Sequence, residues 1–212
     1  MPAGRHCLRP PVAAIFEAAH LLDRAVGMHE AGRRDEAAAL LAAADMREVR
    51  QWTESLWGPA SGHPGQARHL AIRRVPDAPP RLGASERVAA RMPTASEKRA
   101  LIAHWGHGCA FCGIPLIRAE VRARFVAAYP GAVPWGRSNE SQHAAFQCLW
   151  LQYDHVLPHA RGGGNGMDNL VVTCAGCNYG RGDRTLDEQA LTDPRARPAA
   201  RTSWDGLERF RP

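Results

Sequence analysis

Four of the six cysteines stand as two C-x-x-C pairs, Cys109/Cys112 and Cys174/Cys177. Random placement would give two such pairs on the order of one time in a hundred, so this spacing constrains the fold more than any other feature. Each pair can present two thiolates from one tight turn. Together they satisfy the tetrahedral preference of Zn²⁺ and leave no coordination position open, which makes the expected site structural; a redox dithiol is the competing reading. Roughly sixty residues separate the pairs, far more than a small zinc ribbon needs. The metal is therefore expected to clamp the ends of a larger unit. Cys7 and Cys148 lack ligand spacing, and Cys148, on a predicted strand, is expected to be a buried apolar residue.

The chemical setting agrees with metal rather than disulfide. The opening residues MPAGRHCLRPP lack the apolar run of a secretory signal, and no transmembrane-length apolar stretch exists. The chain is thus expected in the reducing cytoplasm and off the membrane. Its 212 residues, 45% hydrophobic and 23% charged, allow one large domain or two small ones and exclude wholesale disorder. The net charge is +6, and Lys98 is the only lysine among 27 basic residues. Arginine's planar fork suits phosphate. A GC-rich coding sequence would raise arginine, alanine, glycine and proline together, so charge alone only permits a nucleic-acid partner.

From Val12 to Trp57 the pattern is helical. Ile15, Ala18, Ala19, Leu22 and Val26 repeat at 3.6-residue spacing, Gly32 breaks the run, a second helix spans Asp35 to Ala44, and Asp45 has the chemistry of an N-cap for a third. Residues 58–65 and 76–84 are rich in proline and glycine and predict a loosely structured bridge. Thr94 and Glu97 have capping-box spacing ahead of a short helix ending near Trp105. Residues 115–129 predict another helix, with Arg118, Arg122 and Arg124 turned outward or toward phosphate. Gln147 to Leu157 predicts a strand, 161–166 (RGGGNG) a turn or open loop, and Leu170 to Thr173 a second strand running into Cys174. The tail from Thr192 is rich in proline and arginine and is expected to be peripheral.

Around the second cysteine pair lies a constellation suited to phosphodiester hydrolysis. Such a reaction needs a base to deprotonate water near pH 7, which a neutral imidazole supplies, and His155 is the candidate. It also needs a hard divalent cation on oxygen ligands, for which Asp154 and Asn178 have the right chemistry. On a regular strand Asp154 and His155 would face opposite ways, so both can serve one phosphate only if the strand ends or bends there.

The order Asp154-His155-Val-Leu-Pro158, Gly162-Gly163-Gly164-Asn165, Asn169-Leu170, Cys174-x-x-Cys177-Asn178 resembles the HNH nuclease family over roughly residues 105–185. In that family a ββα-metal unit is commonly framed by two zinc-binding C-x-x-C pairs. The resemblance implies His155 as general base, with Mg²⁺ or Mn²⁺ held by Asp154 and Asn178. It implies that Asn169 holds the loop and orients His155, and that products carry 5′-phosphate and 3′-hydroxyl ends. The family often has a basic residue where Arg181 stands, which implies a phosphate contact; His159 and Arg161 are further phosphate candidates. Asn178 stands where many members have histidine and others asparagine.

The expected fold is α+β, an α-helical N-terminal region followed by a zinc-stabilised ββα-metal nuclease domain. The parts are a helical region at 1–57, a bridge at 58–94, the nuclease domain at 95–190 and a tail at 191–212. The expected function is metal-dependent cleavage of nucleic acid, double-stranded DNA above all, with homodimerisation through the N-terminal helices as a geometric option. The alternative is a zinc-dependent nucleic-acid-binding module without catalysis. Intact Asp154, His155, Asn169 and Asn178 favour the enzyme, since binding alone does not require them.

Overall fold

The N-terminal apolar stripe buries as its spacing demands. In the computed structural model, which describes residues 5–57, 72–89, 92–199 and 202–212, α1 (Ala13–Glu30) hides Ile15, Ala18, Ala19, Leu22 and Val26 on one face. Gly32 adopts a φ of 75°, a left-handed conformation that glycine enters without a Cβ clash, and so turns the chain into α2 (Arg34–Ala43). The third helix, α3 (Arg47–Trp57), buries Val49, Trp52, Leu56 and Trp57. Asp45 does not cap it. Its carboxylate instead accepts the backbone N–H of Ala144, 2.7 Å away, and so holds the start of a helix a hundred residues further on.

The capping box at Thr94 and Glu97 is formed. The Thr94 hydroxyl accepts the Glu97 N–H, and the Glu97 carboxylate accepts the Thr94 N–H at 2.6 Å, which starts α4 (Ala95–Trp105). Residues 115–118 are extended rather than helical, and α5 runs Ala119–Ala128. The expected strand from Gln147 is shorter than its composition suggests: Ala144–Cys148 form α6, and β1 begins at Leu151 and ends at His155. Alanine-rich sequence and the Asp45 cap favour the helical turn there. Cys148 is fully buried, as expected.

β1 pairs antiparallel with β2 (Leu170–Cys174), register Leu151 to Cys174 and His155 to Leu170, and α7 (Ala175–Arg181) follows without a break. These elements form a ββα unit within an α+β chain. A two-stranded sheet is marginal alone; here β2 is buried along its length. Helix α3 lies directly against α7. A Cβ at Gly176 would come within 2.8 Å of the Leu56 side chain, and one at Gly180 within 3.0 Å of the Leu56 carbonyl. One hydrophobic core therefore runs from α1 through α3 into the ββα unit. Among the described residues no helix is long and apolar enough to cross a membrane.

Two segments differ from expectation. Residues 58–65 lie outside the described residues, but the second proline-rich stretch, 76–84, is pinned rather than loose. Leu82 N–H donates to the Ala160 carbonyl at 2.9 Å, and Arg81 pairs with Asp183 at 2.5 Å. The tail is not peripheral. Leu207 and Phe210 are fully buried, and the Phe210 ring stacks on Phe125 at 3.8 Å and 12°. Glu208 takes Arg118 and Arg124, and Arg209 reaches Asp23 on α1. The tail is thus fastened by its buried rings and by ion pairs through Glu208 and Arg209. Phe210→Ala is expected to destabilise the chain by about 3–5 kcal/mol, read as a lowered midpoint in urea.

Candidate active site

The four cysteine sulfurs come together. Every pair of sulfurs among Cys109, Cys112, Cys174 and Cys177 lies within 4.8 Å, and Cys112 and Cys174 are 3.7 Å apart. Sulfurs placed 2.3 Å from a tetrahedral centre would be about 3.8 Å apart, so the cluster is sized for one metal ion, and none of the four is in a disulfide. Backbone N–H groups of Cys174 and Cys177 donate to the sulfurs of Cys109 and Cys174, each at 3.3 Å, the polarity that a thiolate ligand requires. Burial works against ionisation at Cys109, yet hydrogen bonds from the other three thiols pull it well below the ordinary thiol range. The other three thiols are raised, Cys112 and Cys177 chiefly by those same contacts and Cys174 chiefly by burial.

Of the expected catalytic residues, Asp154 and His155 end β1 and Asn169 directly precedes β2, while Asn178 lies on α7 beside Gln152. His155 is nearly enclosed, 7% exposed, and its Nε2 is 2.8 Å from Asn165 Oδ1. With Nε2–H donating to that oxygen, the Nδ1 lone pair is left as the basic site. Burial lowers the His155 pKa below the ordinary imidazole value, against the opposing pull of Asn165 and Asp154. The ring is therefore neutral at pH 7. Asn165, within the glycine run, is the residue that sequence reasoning passed over; its short acceptor side chain beside three glycines was the available signal.

Asn169 holds the loop but does not touch His155. Its Oδ1 accepts the Leu157 N–H at 2.8 Å, while its Nδ2 donates to the Gly164 carbonyl at 2.9 Å and the Leu157 carbonyl at 3.2 Å. This clasp explains Gly163. A Cβ there would fall 1.8 Å from the Leu157 carbonyl oxygen, so only glycine lets the loop fold back under Asn169.

Asp154 is buried and faces Arg181 from α7. Arg181 Nη2 donates to Oδ1 at 2.6 Å and Nε to Oδ2 at 3.2 Å. The same guanidinium donates to the carbonyls of His155, Val156 and Arg184. Arg181 is 1% exposed, so the expected phosphate contact is corrected to an internal brace: it neutralises Asp154 and fixes the end of β1. Arg161 is likewise turned inward, bonded to Glu188 at 3.0 Å and to the carbonyls of Pro79 and Asp183. Both arginines found carboxylates that lie within the protein, which a fork suited to phosphate binds equally well. His159 stays beside the site, its ring 5.6 Å from that of His155 and its Nε2 2.8 Å from the Val88 carbonyl.

Asn178, half-buried on α7, directs Nδ2 toward Gln152 Oε1 at 3.5 Å, which leaves its carbonyl oxygen open. Gln152 and Asp154 alternate onto the same side of β1, so Asn178 stands over the strand face that carries Asp154. A carboxylate has about four lone-pair positions, and the Arg181 fork uses two. Both carboxylate oxygens are thus engaged, and only their remaining lone pairs, with Asn178 Oδ1, could serve as hard donors to an ion such as Mg²⁺ that keeps most of its water.

Residues 146–193 match the family model described as HNH endonuclease, a span covering β1, the glycine loop, β2 and α7. No curated protein and no solved structure matches the chain. Metal analysis of the purified protein is expected to give one zinc per chain, and Cys177→Ser to lower that content and unfold the ββα unit, because binding energy at a structural zinc is folding energy. Zinc retained at full stoichiometry in that variant would remove the cluster from its assigned role.

Proposed function

We propose, from the match of residues 146–193 to the HNH endonuclease model, that the chain hydrolyses phosphodiester bonds of DNA, with His155 as general base and a divalent cation held by Asp154 and Asn178. The observation that carries this reading is the state of His155, a neutral imidazole whose Nε2 is held by Asn165 and whose Nδ1 makes no hydrogen bond among the described residues. A base at Nδ1 takes the proton of a water aimed at phosphorus. Asn165 steadies the imidazolium that results, and the nearby Asp154 carboxylate favours that charge. The bound cation, Mg²⁺ or Mn²⁺, supplies neutralisation of charge on the phosphoryl and leaving oxygens. Asn169 keeps the loop closed, and Arg181 keeps the strand end in place. The four cysteines lie at the opposite end of the strands, where Cys174 pairs with Leu151, so a zinc ion held there would fasten α7 and β2 rather than meet the scissile bond.

One observation favours the second reading, a zinc-stabilised nucleic-acid-binding module without catalysis. Arg181 already compensates Asp154, and a cation entering there must share the carboxylate with a guanidinium. Supercoiled plasmid incubated with Mg²⁺ or Mn²⁺ separates the two readings. The wild type is expected to nick or cut. His155→Ala is expected to lose about 10²–10⁴-fold in rate while still shifting DNA in a gel. Equal inertness of both, with both still shifting DNA, would establish the binding module.

The pH dependence follows from the direction of the shift. His155 must be deprotonated to act, and its pKa lies below 6.5, so cleavage is expected to rise through a midpoint under pH 6.5 and be flat above it. Asn165→Ala removes an interaction that favours the charged ring, which lowers the midpoint further and lowers the plateau rate as well. A midpoint above 7 would contradict the buried, neutral base.

A further inference from the structure

Of the three arginines that α5 carries or follows, two are satisfied inside the protein. Arg118 pairs with Glu208 at 2.5 Å, and Arg124 donates to the Phe210 carbonyl at 2.6 Å. Arg122 is different. Its guanidinium carbon lies 3.8 Å from the centre of the Trp135 ring and 4.6 Å from that of Trp150, in the corner formed by two indoles whose planes meet at 87°. Its Nη1 is buried without a hydrogen-bond partner, the one arginine nitrogen of that kind among the described residues. The nearest acid on its helix, Glu120, is exposed and turned toward Arg118 at 3.8 Å.

Such an arrangement is costly unless it serves a ligand. Burial pulls Arg122 down to about 10, opposed by Glu120 and Tyr179, so it keeps its charge at pH 7 with no ion-pair partner among the described residues. Rings against the guanidinium fix its orientation and occupy its faces, which directs what remains of its hydrogen-bonding capacity to the edge. Nη1 is enclosed, so the N–H groups left for a ligand are those of Nε and Nη2, a fork complementary to a phosphate oxygen pair.

Its place in the fold says which phosphate. Trp150 is extended, bridged to Ile117 on one side and hydrogen-bonded through its carbonyl to Ala175 N–H on the other. By alternation it shares the β1 side of Gln152 and Asp154. Trp150 lies five residues of extended chain from His155, about 17 Å, or about five nucleotide steps along one strand at 3.4 Å each.

We propose that Arg122, seated between Trp135 and Trp150, binds a backbone phosphate of the nucleic-acid substrate about five nucleotides from the bond held at His155. This rests on the nuclease reading above and extends it. The contact comes from α5 and the loop after it, outside the segment matched to the HNH family.

The test is fluorescence anisotropy of a labelled duplex, and of one of its strands alone, in buffer without added divalent cation and over a range of salt. Arg122→Met keeps the apolar stem without the charge, and Arg122→Lys keeps the charge without the fork. Loss of one phosphate contact is expected to weaken duplex binding about tenfold and to reduce the slope of log K against log salt by about 0.9 for the Met variant. Lys is expected to restore the slope and part of the affinity. A Met variant that binds duplex with wild-type affinity and slope overturns the proposal and leaves the nuclease reading standing. Wild-type protein that binds neither nucleic acid overturns both. Thermal melts accompany each variant, and collapse of the fold in both would show Arg122 to be a packing residue and overturn the site.

Discussion

The four-sulfur cluster is the constraint on which the rest depends. Two five-residue strands and a seven-residue helix cannot persist in water by their own hydrogen bonds. The turn at Cys109–Cys112 joins them from outside: Ala110 N–H donates to the Val172 carbonyl at 2.9 Å, and Cys174 N–H donates to the Cys109 sulfur. A metal seated among these sulfurs therefore binds β2, the first turn of α7 and the loop after α4 at one point. Everything at the far end of β1, His155 included, inherits its position from that point.

The second organising contact is the buried pair of Asp154 and Arg181. A desolvated ion pair adds little net stability, whereas loss of either partner strands a charge in the core. Its consequence here is geometric. Arg181 holds the carbonyls of His155 and Val156 while it holds Asp154, so the strand stops at His155 and the two adjacent side chains separate, Asp154 toward α7 and His155 toward the glycine loop. The alternation thus persists to the last residue of the strand, and the two side chains leave its end on opposite sides.

The legible features were those whose partners are close in sequence or whose chemistry is narrow. The C-x-x-C turns, the Thr94 capping box, the α1 stripe and the Asp154-His155 to Asn178 order could be read because cysteine pairs, caps and apolar periods each permit few alternatives. Arg161, Arg181 and the tail could not. A guanidinium accepts a carboxylate as readily as a phosphate, and Glu188, Asp154 and Glu208 become its partners only after the chain has folded. Phe210 is equally silent in sequence, since its stacking partner Phe125 sits on a helix far along the chain.

This changes what the arginine content means. A net charge of +6 invites the idea of a broad basic face, but the sites at Arg118, Arg161, Arg181 and Arg209 show the guanidinium acting as structural mortar, each tied to a carboxylate of a distant segment. A chain with a single lysine uses arginine for tasks that bidentate geometry favours, and those tasks consume the charge. Binding specificity then depends less on how many arginines there are than on which ones the fold leaves without an acid. By that criterion the corner of Trp135 and Trp150 stands apart, because two rings hold its guanidinium in one orientation and no acid pairs with it among the described residues.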